Sequence, residues 1–286
     1  MAHPNWLTRL TDVKTKLNIN RSDYDLLLTN LITQVSAYVE KQTLRIIKPH
    51  RYIEYHDGGK QIITLKQAPV LSINGVWEDV TREFDSSSQL TADCYHVTVN
   101  GRLVRIGRKF VSGFGVIKVD YWAGFSEHFI SDGSFVIISD STEHTVTIEP
   151  GKYNIIDLAS TVETALNELG LGTFTVEFNS DLQRIEMTCD TDFAIKVGSD
   201  VADAMGFVTQ QSESRTCYSD DAVVGIPPDL KDAVEGIIGF KFLLYSQTRI
   251  PIRSESRGDQ TLQFDFQDIP LHYRIVLDSY AMRRIG

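Results

Sequence analysis

The feature that most constrains this fold is a change of hydrophobic period, from helix to strand and back again. Tyr24, Leu27, Leu28, Leu31, Val35, Tyr38 and Val39 recur at the spacing of one buried helix face. The spacing predicts a helix over Asp23–Thr43, with Ser22 as N-cap and Asp23 and Asp25 in the first turn, where the helix dipole favours negative charge. A shorter helix, capped by Thr11, is expected to run to about Leu17. Beyond residue 50 the period falls to two. Arg51–Tyr55 and Gln61–Leu65 flank Asp57-Gly58-Gly59 as a hairpin would. Pro69–Ile73 leads to Val76-Trp77. Tyr95–Val99 and Arg102–Ile106 flank Asn100-Gly101, the strongest hairpin signal in the chain, and Gly115–Trp122 closes this sheet.

A second set of elements follows. Phe135–Ile138 and Thr145–Ile148 read as strands, and Pro150-Gly151 as a turn. Ile156, Leu158, Ala159, Val162, Ala165, Leu166 and Leu169 then mark a helix that stops near Gly170. Phe174–Phe178 and Arg184–Thr188 flank Asn179-Ser180-Asp181 as a further hairpin, and Ala204–Phe207 ends the unit. This order of β, α, β, β is self-contained and bounds a module at 125–216. The Gln/Ser-rich stretch Thr209–Ser219 reads as a returning linker.

Helical spacing resumes after Pro227-Pro228, with Leu230, Val234, Ile237, Ile238, Phe240 and Leu244 in a stripe and proline in its favoured first-turn place. Gly236 and Gly239 weaken that helix and suit close packing against another backbone. Leu262, Phe264 and Phe266 alternate as in a strand. Ile269-Pro270-Leu271 opens a last short helix with Tyr273, Val276, Leu277 and Tyr280 on one side. The fold class is therefore α+β: N-terminal helices, antiparallel β structure and a C-terminal helix, interrupted by a small inserted domain.

Composition narrows the function. With 38 acidic residues against 28 basic ones and a net charge of −10, gripping duplex DNA is not expected to be the main task. Cys94, Cys189 and Cys217 are far apart and form no C-x-x-C pair, so free thiols are expected. The seven histidines are scattered, with no H-x-x-x-H pair among them. Gly113-Phe114-Gly115 precedes a strand and not a helix, which argues against a phosphate loop. No catalytic residue, metal ligand or cofactor site is expected. No apolar run approaches the ~20 residues that span a bilayer. The opening MAHPNWLTRL lacks a signal-peptide layout, so synthesis in the cytoplasm is expected.

Outside the module, the chain resembles the head–tail adaptor (head completion, connector) proteins of long-tailed double-stranded DNA bacteriophages. The resemblance rests on LTDVKTKLNI and SDYDLLLTNLITQVSAYVEKQT, then Pro69-Val70, Ile73-Asn74-Gly75-Val76 and Tyr121-Trp122-Ala123-Gly124. It continues in the Pro-Pro-Asp-Leu-Lys helix start from Pro227 and in Ser254–Asp259. The family usually passes from Ala-Gly directly to Pro-Pro. Here about ninety residues intervene, and they resemble a small β/α module of phage structural and flagellar hook-associated proteins, carried by Val146–Tyr153 and Met205-Gly206-Phe207. The resemblance implies two domains: an adaptor core of 1–124 and 217–286, whose C-terminal tail covers about 250–286, and the insert.

It implies a structural subunit rather than an enzyme, in a homo-oligomeric ring of about a dozen copies. Such a ring sits at the virion neck under the portal, next to tail-terminator or stopper proteins, with genomic DNA passing through the bore. Assembly in the bacterial host cytoplasm is implied, and no membrane partner. Ile269, Pro270, Leu271, Tyr273, Val276, Leu277 and Tyr280 are the candidate portal-docking residues, on a tail expected to order only on docking. Summing −10 over about a dozen copies gives on the order of −120, which would keep phosphates from sticking to the bore. The competing expectation is another neck, tail-terminator or decoration protein whose insert binds capsid or a host-surface ligand. Under the adaptor reading, removing Phe125–Thr216 is expected to leave assembly largely intact.

Overall fold

The computed structural model describes residues 5–220, 225–248 and 269–281. The chain forms two compact units, Ile46–Gly225 and the pair Ala2–Arg45 with Ile226–Gly286. Residues 46–124 and 125–216 thus fall in one unit, although each stretch builds its own core.

The second unit is helical, with α1 (Leu10–Lys16), α2 (Asp25–Thr43), α5 (Pro228–Thr248) and α6 (Leu271–Tyr280). The spacing read from the sequence is the one that packs: Leu28, Leu31, Ile32, Val35 and Val39 of α2 are buried, as are Leu230, Val234, Ile237 and Ile238 of α5. Both expected caps differ. Arg9, not Thr11, is the N-cap of α1, and α2 starts after Tyr24 with no side-chain cap. Ser22 contributes only its carbonyl, to the Asp25 amide, while the Asp25 carboxylate takes Lys14 at 2.6 Å. An ion pair to α1 has replaced the cap. Gly236 and Gly239 do allow close approach: a Cβ at Gly236 would lie 2.2 Å from the Tyr273 ring, and one at Gly239 3.0 Å from Leu17.

The first unit is β-rich. Strand β1 (His50–His56) pairs with the central β6 (Ile117–Ala123), which also pairs with β3 (Val70–Glu78). A second sheet has the order β2 (Ile62–Thr64), β5 (Arg102–Arg105), β4 (Tyr95–Val97). The Asn100-Gly101 hairpin forms as expected, with Gly101 at φ +76°. The hairpin expected at Asp57-Gly58-Gly59 does not. Strands β1 and β2 go to different sheets, and β6, expected to close its sheet, is the middle strand. The reason is what the loop meets. Gly58 and Gly59 donate to the Gly113 and Phe110–Val111 carbonyls, which direct the chain away from β1. Val76, Leu103, Phe110, Val119 and Tyr121 lie in the core of these two sheets.

Residues 125–216 hold β7 (His128–Ile130) against β10 (Gly151–Tyr153), and a larger sheet in the order β11, β12, β8, β9. Its strands are β8 (Ser134–Ser139), β9 (Thr142–Thr147), β11 (Phe174–Asn179) and β12 (Arg184–Lys196). Helices α3 (Ile155–Glu168) and α4 (Asp200–Met205) complete it. Asn154 caps α3 by accepting from Ile156 and Asp157, and Gly170 follows its end at φ +69°. Ile137, Leu158, Val162, Phe174, Met187 and Phe207 share one core. Two expectations are corrected. Gly151 opens a strand instead of a turn, and Ser214–Tyr218 forms β13, which pairs with β12 and buries Cys217, so the Gln/Ser-rich stretch is not only a linker.

This module is stitched to the ends of its own unit. The Phe125 amide donates to the Ile47 carbonyl at 2.7 Å, and Glu127 to Gly225 at 2.9 Å. Gln183, fully buried in the β11–β12 turn, donates its Nε2 to the Pro49 carbonyl at 2.8 Å. Gly124 stands at φ +137° with room only for hydrogen, since a Cβ would lie 2.5 Å from the Lys48 carbonyl oxygen.

Candidate functional site

Helix α6 carries the residues that the sequence singles out for docking. Pro270 precedes its first turn and Ile269 is buried. Leu277 is buried on the inner side, where α6 packs with α2 and α5, and Tyr273, Val276 and Tyr280 are half-buried. Tyr273 occupies the space that Gly236 leaves open. Tyr280 donates its hydroxyl to Asp229 Oδ1 at 2.6 Å, and burial together with that carboxylate pushes the phenol above its ordinary range. Most of the candidate face is therefore used inside its own helical unit. For residues 269–281 the expectation of a tail that orders only on docking is corrected: a helix whose tyrosines already meet a glycine notch and a carboxylate has found its partners. The rest of that tail, with the expected Leu262–Phe266 strand, lies outside the described residues.

What α6 leaves outward is different. Leu271 is 71% exposed and Ile275 60% exposed, four residues apart and so neighbours on one helix face. The sequence reading included Leu271 and missed Ile275. Ile275 lies outside the stripe of Tyr273, Val276, Leu277 and Tyr280, so helical spacing alone does not single it out.

The helical unit is fastened by ion pairs from α1 to α5. Lys16 meets Asp232 at 2.6 Å, and Lys231 meets Asp12 at 2.7 Å. Beneath them the buried Glu235 accepts from the Thr8 hydroxyl at 2.8 Å.

A second polar cluster, in the β unit, was not foreseen. Glu54 accepts from the Tyr121 hydroxyl at 2.5 Å and from the Lys66 amide at 3.2 Å, and His56 lies 2.9 Å away. Burial pushes the Glu54 carboxyl up, but the adjacent His56 imidazole and hydrogen bonds from Tyr121 and Lys66 outweigh it and leave it below its ordinary value. Tyr121 in turn accepts from the Gln67 amide, so the cluster fixes the loop after β2. Among the described residues no group of His, Cys, Asp and Glu could hold a metal ion, and no helix is long and apolar enough to cross a membrane. The three cysteines are free thiols, and burial pushes Cys217 up to about 11.

Comparison with known proteins bears on α1, α2 and the strands that follow. Residues 8–85 match the family model described as "Phage gp6-like head-tail connector protein". That segment is similar to phage head–tail connector proteins. The connector match takes in Leu10–Lys16, Asp25–Thr43 and the first three strands, and ends at Asp85. Among solved structures, the chain is similar to one from the neck of an empty GTA particle computed with C6 symmetry. The identity is 17%, the TM-score 0.33, and the match covers 44% of this chain and 69% of that one. A chain from the neck of a native GTA particle computed with C12 symmetry matches at 16% identity and TM-score 0.32, over 44% and 67%. No curated protein matches this chain.

Proposed function

We propose that this protein is a structural head–tail adaptor subunit of a phage virion, placed at the neck as a homo-oligomeric ring of about a dozen copies. The single observation that carries the reading is the head–tail connector match over residues 8–85, which takes in α1 and the buried face of α2. In this reading the ring docks under the portal, meets a stopper or tail-terminator protein on its other side, and lets genomic DNA pass without specific binding. It performs no catalysis. Subunits are made and joined in the bacterial host cytoplasm. Residues 125–216 are an inserted module, supported by their own hydrophobic core.

The geometry of α6 sharpens the portal contact. Tyr273, Val276, Leu277 and Tyr280 hold the helix in its unit, so Leu271 and Ile275 are its large apolar side chains left to meet a partner. A phage deprived of this chain should accumulate packed heads and separate tails, and wild-type protein supplied in trans should join them. A variant carrying Leu271→Asp and Ile275→Asp should keep its thermal stability and lose binding to purified portal rings. Heads and tails that join normally without the protein would refute the assignment.

A further inference from the structure

The open face of the β2-β5-β4 sheet carries positive charge that the rest of the fold does not neutralise. Ile63, Leu65 and Leu103 point into the core, so the alternate residues Ile62, Thr64, Arg102 and Ile106 stand outward and are exposed. Ile62 pairs with Val104, which pairs with the exposed His96, and Thr64 pairs with Arg102. Lys60 precedes β2 and Lys66 follows it, both exposed. Exposed Lys109 lies beside Lys60, whose carbonyl accepts from the Phe110 amide at 2.9 Å. Among the described residues, none of Lys60, Lys66, Arg102 and Lys109 meets a carboxylate. Lys14, Lys16, Lys152, Lys196 and Lys231 all do.

The neighbouring acids do not cancel this charge. Residues 57–66 and 93–109, which build the sheet and its turns, hold six Lys and Arg against two acids, Asp57 and Asp93. Glu78 of β3 accepts from Arg108 at 2.6 Å and lies 3.5 Å from Arg105, so it answers only that end. The acidic loop after β3, with Asp79, Glu83 and Asp85, turns to the far side. Its Phe84 lies against Tyr55, ring centroids 5.4 Å apart. Tyr55 is exposed on the outer side of β1, while Glu54 before it is buried against Tyr121 in the core that the two sheets share.

We propose that this face is a sequence-independent contact for the phosphate backbone of duplex DNA. This rests on the adaptor reading, which brings DNA past the chain. Lys60 and Lys66 are six residues apart on one strand, about 20 Å, a span that passes roughly six phosphates of one DNA strand. Charges that recur so closely offer partners in any register. The four cations suit that, because no ion pair fixes their direction. A folded acidic protein would ask for one register and for aromatic anchors, and no Trp, Tyr or Phe of this face is exposed. The remainder of the chain, at net charge −10 overall, repels phosphate, so the hold is weak and DNA can slide.

The test titrates the full-length protein into a fluorescein-labelled duplex of mixed sequence and reads anisotropy as salt is raised. Four phosphate contacts give log affinity against log salt a slope of about −3.6. Lys66→Ala with Arg102→Ala should roughly halve that slope and weaken low-salt binding about tenfold or more. Lys152→Ala with Lys196→Ala makes the same change in net charge on the 125–216 module and should leave both unchanged. Circular dichroism melting of each variant confirms that the fold is retained. Poly-glutamate at equal charge concentration should compete about tenfold less well than unlabelled duplex. No binding at low salt, or binding indifferent to the first pair of substitutions, overturns the proposal. Equal competition by poly-glutamate also overturns it and assigns the face to an acidic protein. A neck protein that binds no duplex loses only this face. A chain that binds duplex through the face, but without which heads and tails still join, keeps the face and loses the adaptor reading.

Discussion

The two units use charge in opposite ways. In the helical unit, the buried Glu235 apart, the pairs Lys14–Asp25, Lys16–Asp232 and Lys231–Asp12 lie toward solvent, between elements already packed by apolar stripes. In the β unit the carboxylates of Glu54, Glu78 and Asp120 are almost fully buried, and each takes several donors. Glu78 accepts from the Val111 amide at 2.5 Å and from Arg108 at 2.6 Å. Asp120 accepts from Arg51 and Asn74, and those bonds outweigh its burial to lower its carboxyl. The difference teaches where each unit is fragile. Helices with wide apolar faces need charge only for trim. Short strands joined by irregular loops use buried carboxylates as knots, and a knot fails when one partner is removed.

The largest expected effect cuts such a knot. Glu54→Ala strands the Tyr121 hydroxyl and the Lys66 amide, and should cost roughly 3–5 kcal/mol in urea unfolding of the β unit. The same carboxyl sets an acid limb. Its folded pKa lies below its unfolded one, so its stabilisation is complete above the unfolded value, near pH 4, and drains away as pH falls through the folded value. Wild type should therefore lose stability on acidification more steeply than the variant. Equal slopes would mean that the cluster is not coupled to folding.

An intermediate effect tests the helical unit. Gly236→Ala gains up to ~1 kcal/mol of helix propensity if nothing opposes it. With the Tyr273 ring 2.2 Å from the new Cβ, a net loss of about 1–3 kcal/mol is expected instead. Faster amide exchange across Leu271–Tyr280 would accompany it. A stabilised variant would show that α6 is not seated where described. The smallest effect is Lys16→Ala, at most ~1 kcal/mol and fading in high salt. A loss as large as that of Glu54→Ala would erase the contrast between the units.

How much of this was legible follows from the range of each interaction. Helices α2, α3 and α5 were readable because their periodicity is local, as was the Asn100-Gly101 hairpin. The pairing of His50–His56 with Ile117–Ala123 was not, because nothing within β1 encodes a partner 61 to 73 residues on. Ser214–Tyr218 looked like linker because its polar alternation suits an edge strand as well as a loop. On α6 the stripe of Tyr273, Val276, Leu277 and Tyr280 showed that a face would be covered without showing by what. The notch at Gly236 is that cover, and in the sequence a helical glycine signals only a general licence for close packing.

The buried Gln183 has a practical consequence. It fastens the β11–β12 turn to the Pro49 carbonyl, so the module cannot be lifted out like a cassette, and cutting at 125 and 216 would leave that oxygen and the Ile47 carbonyl without their donors. Grafts, epitope tags and fluorophores belong instead at Asp140-Ser141, an exposed reversal between β8 and β9. A label there would report on the protein without loosening the seam beside it.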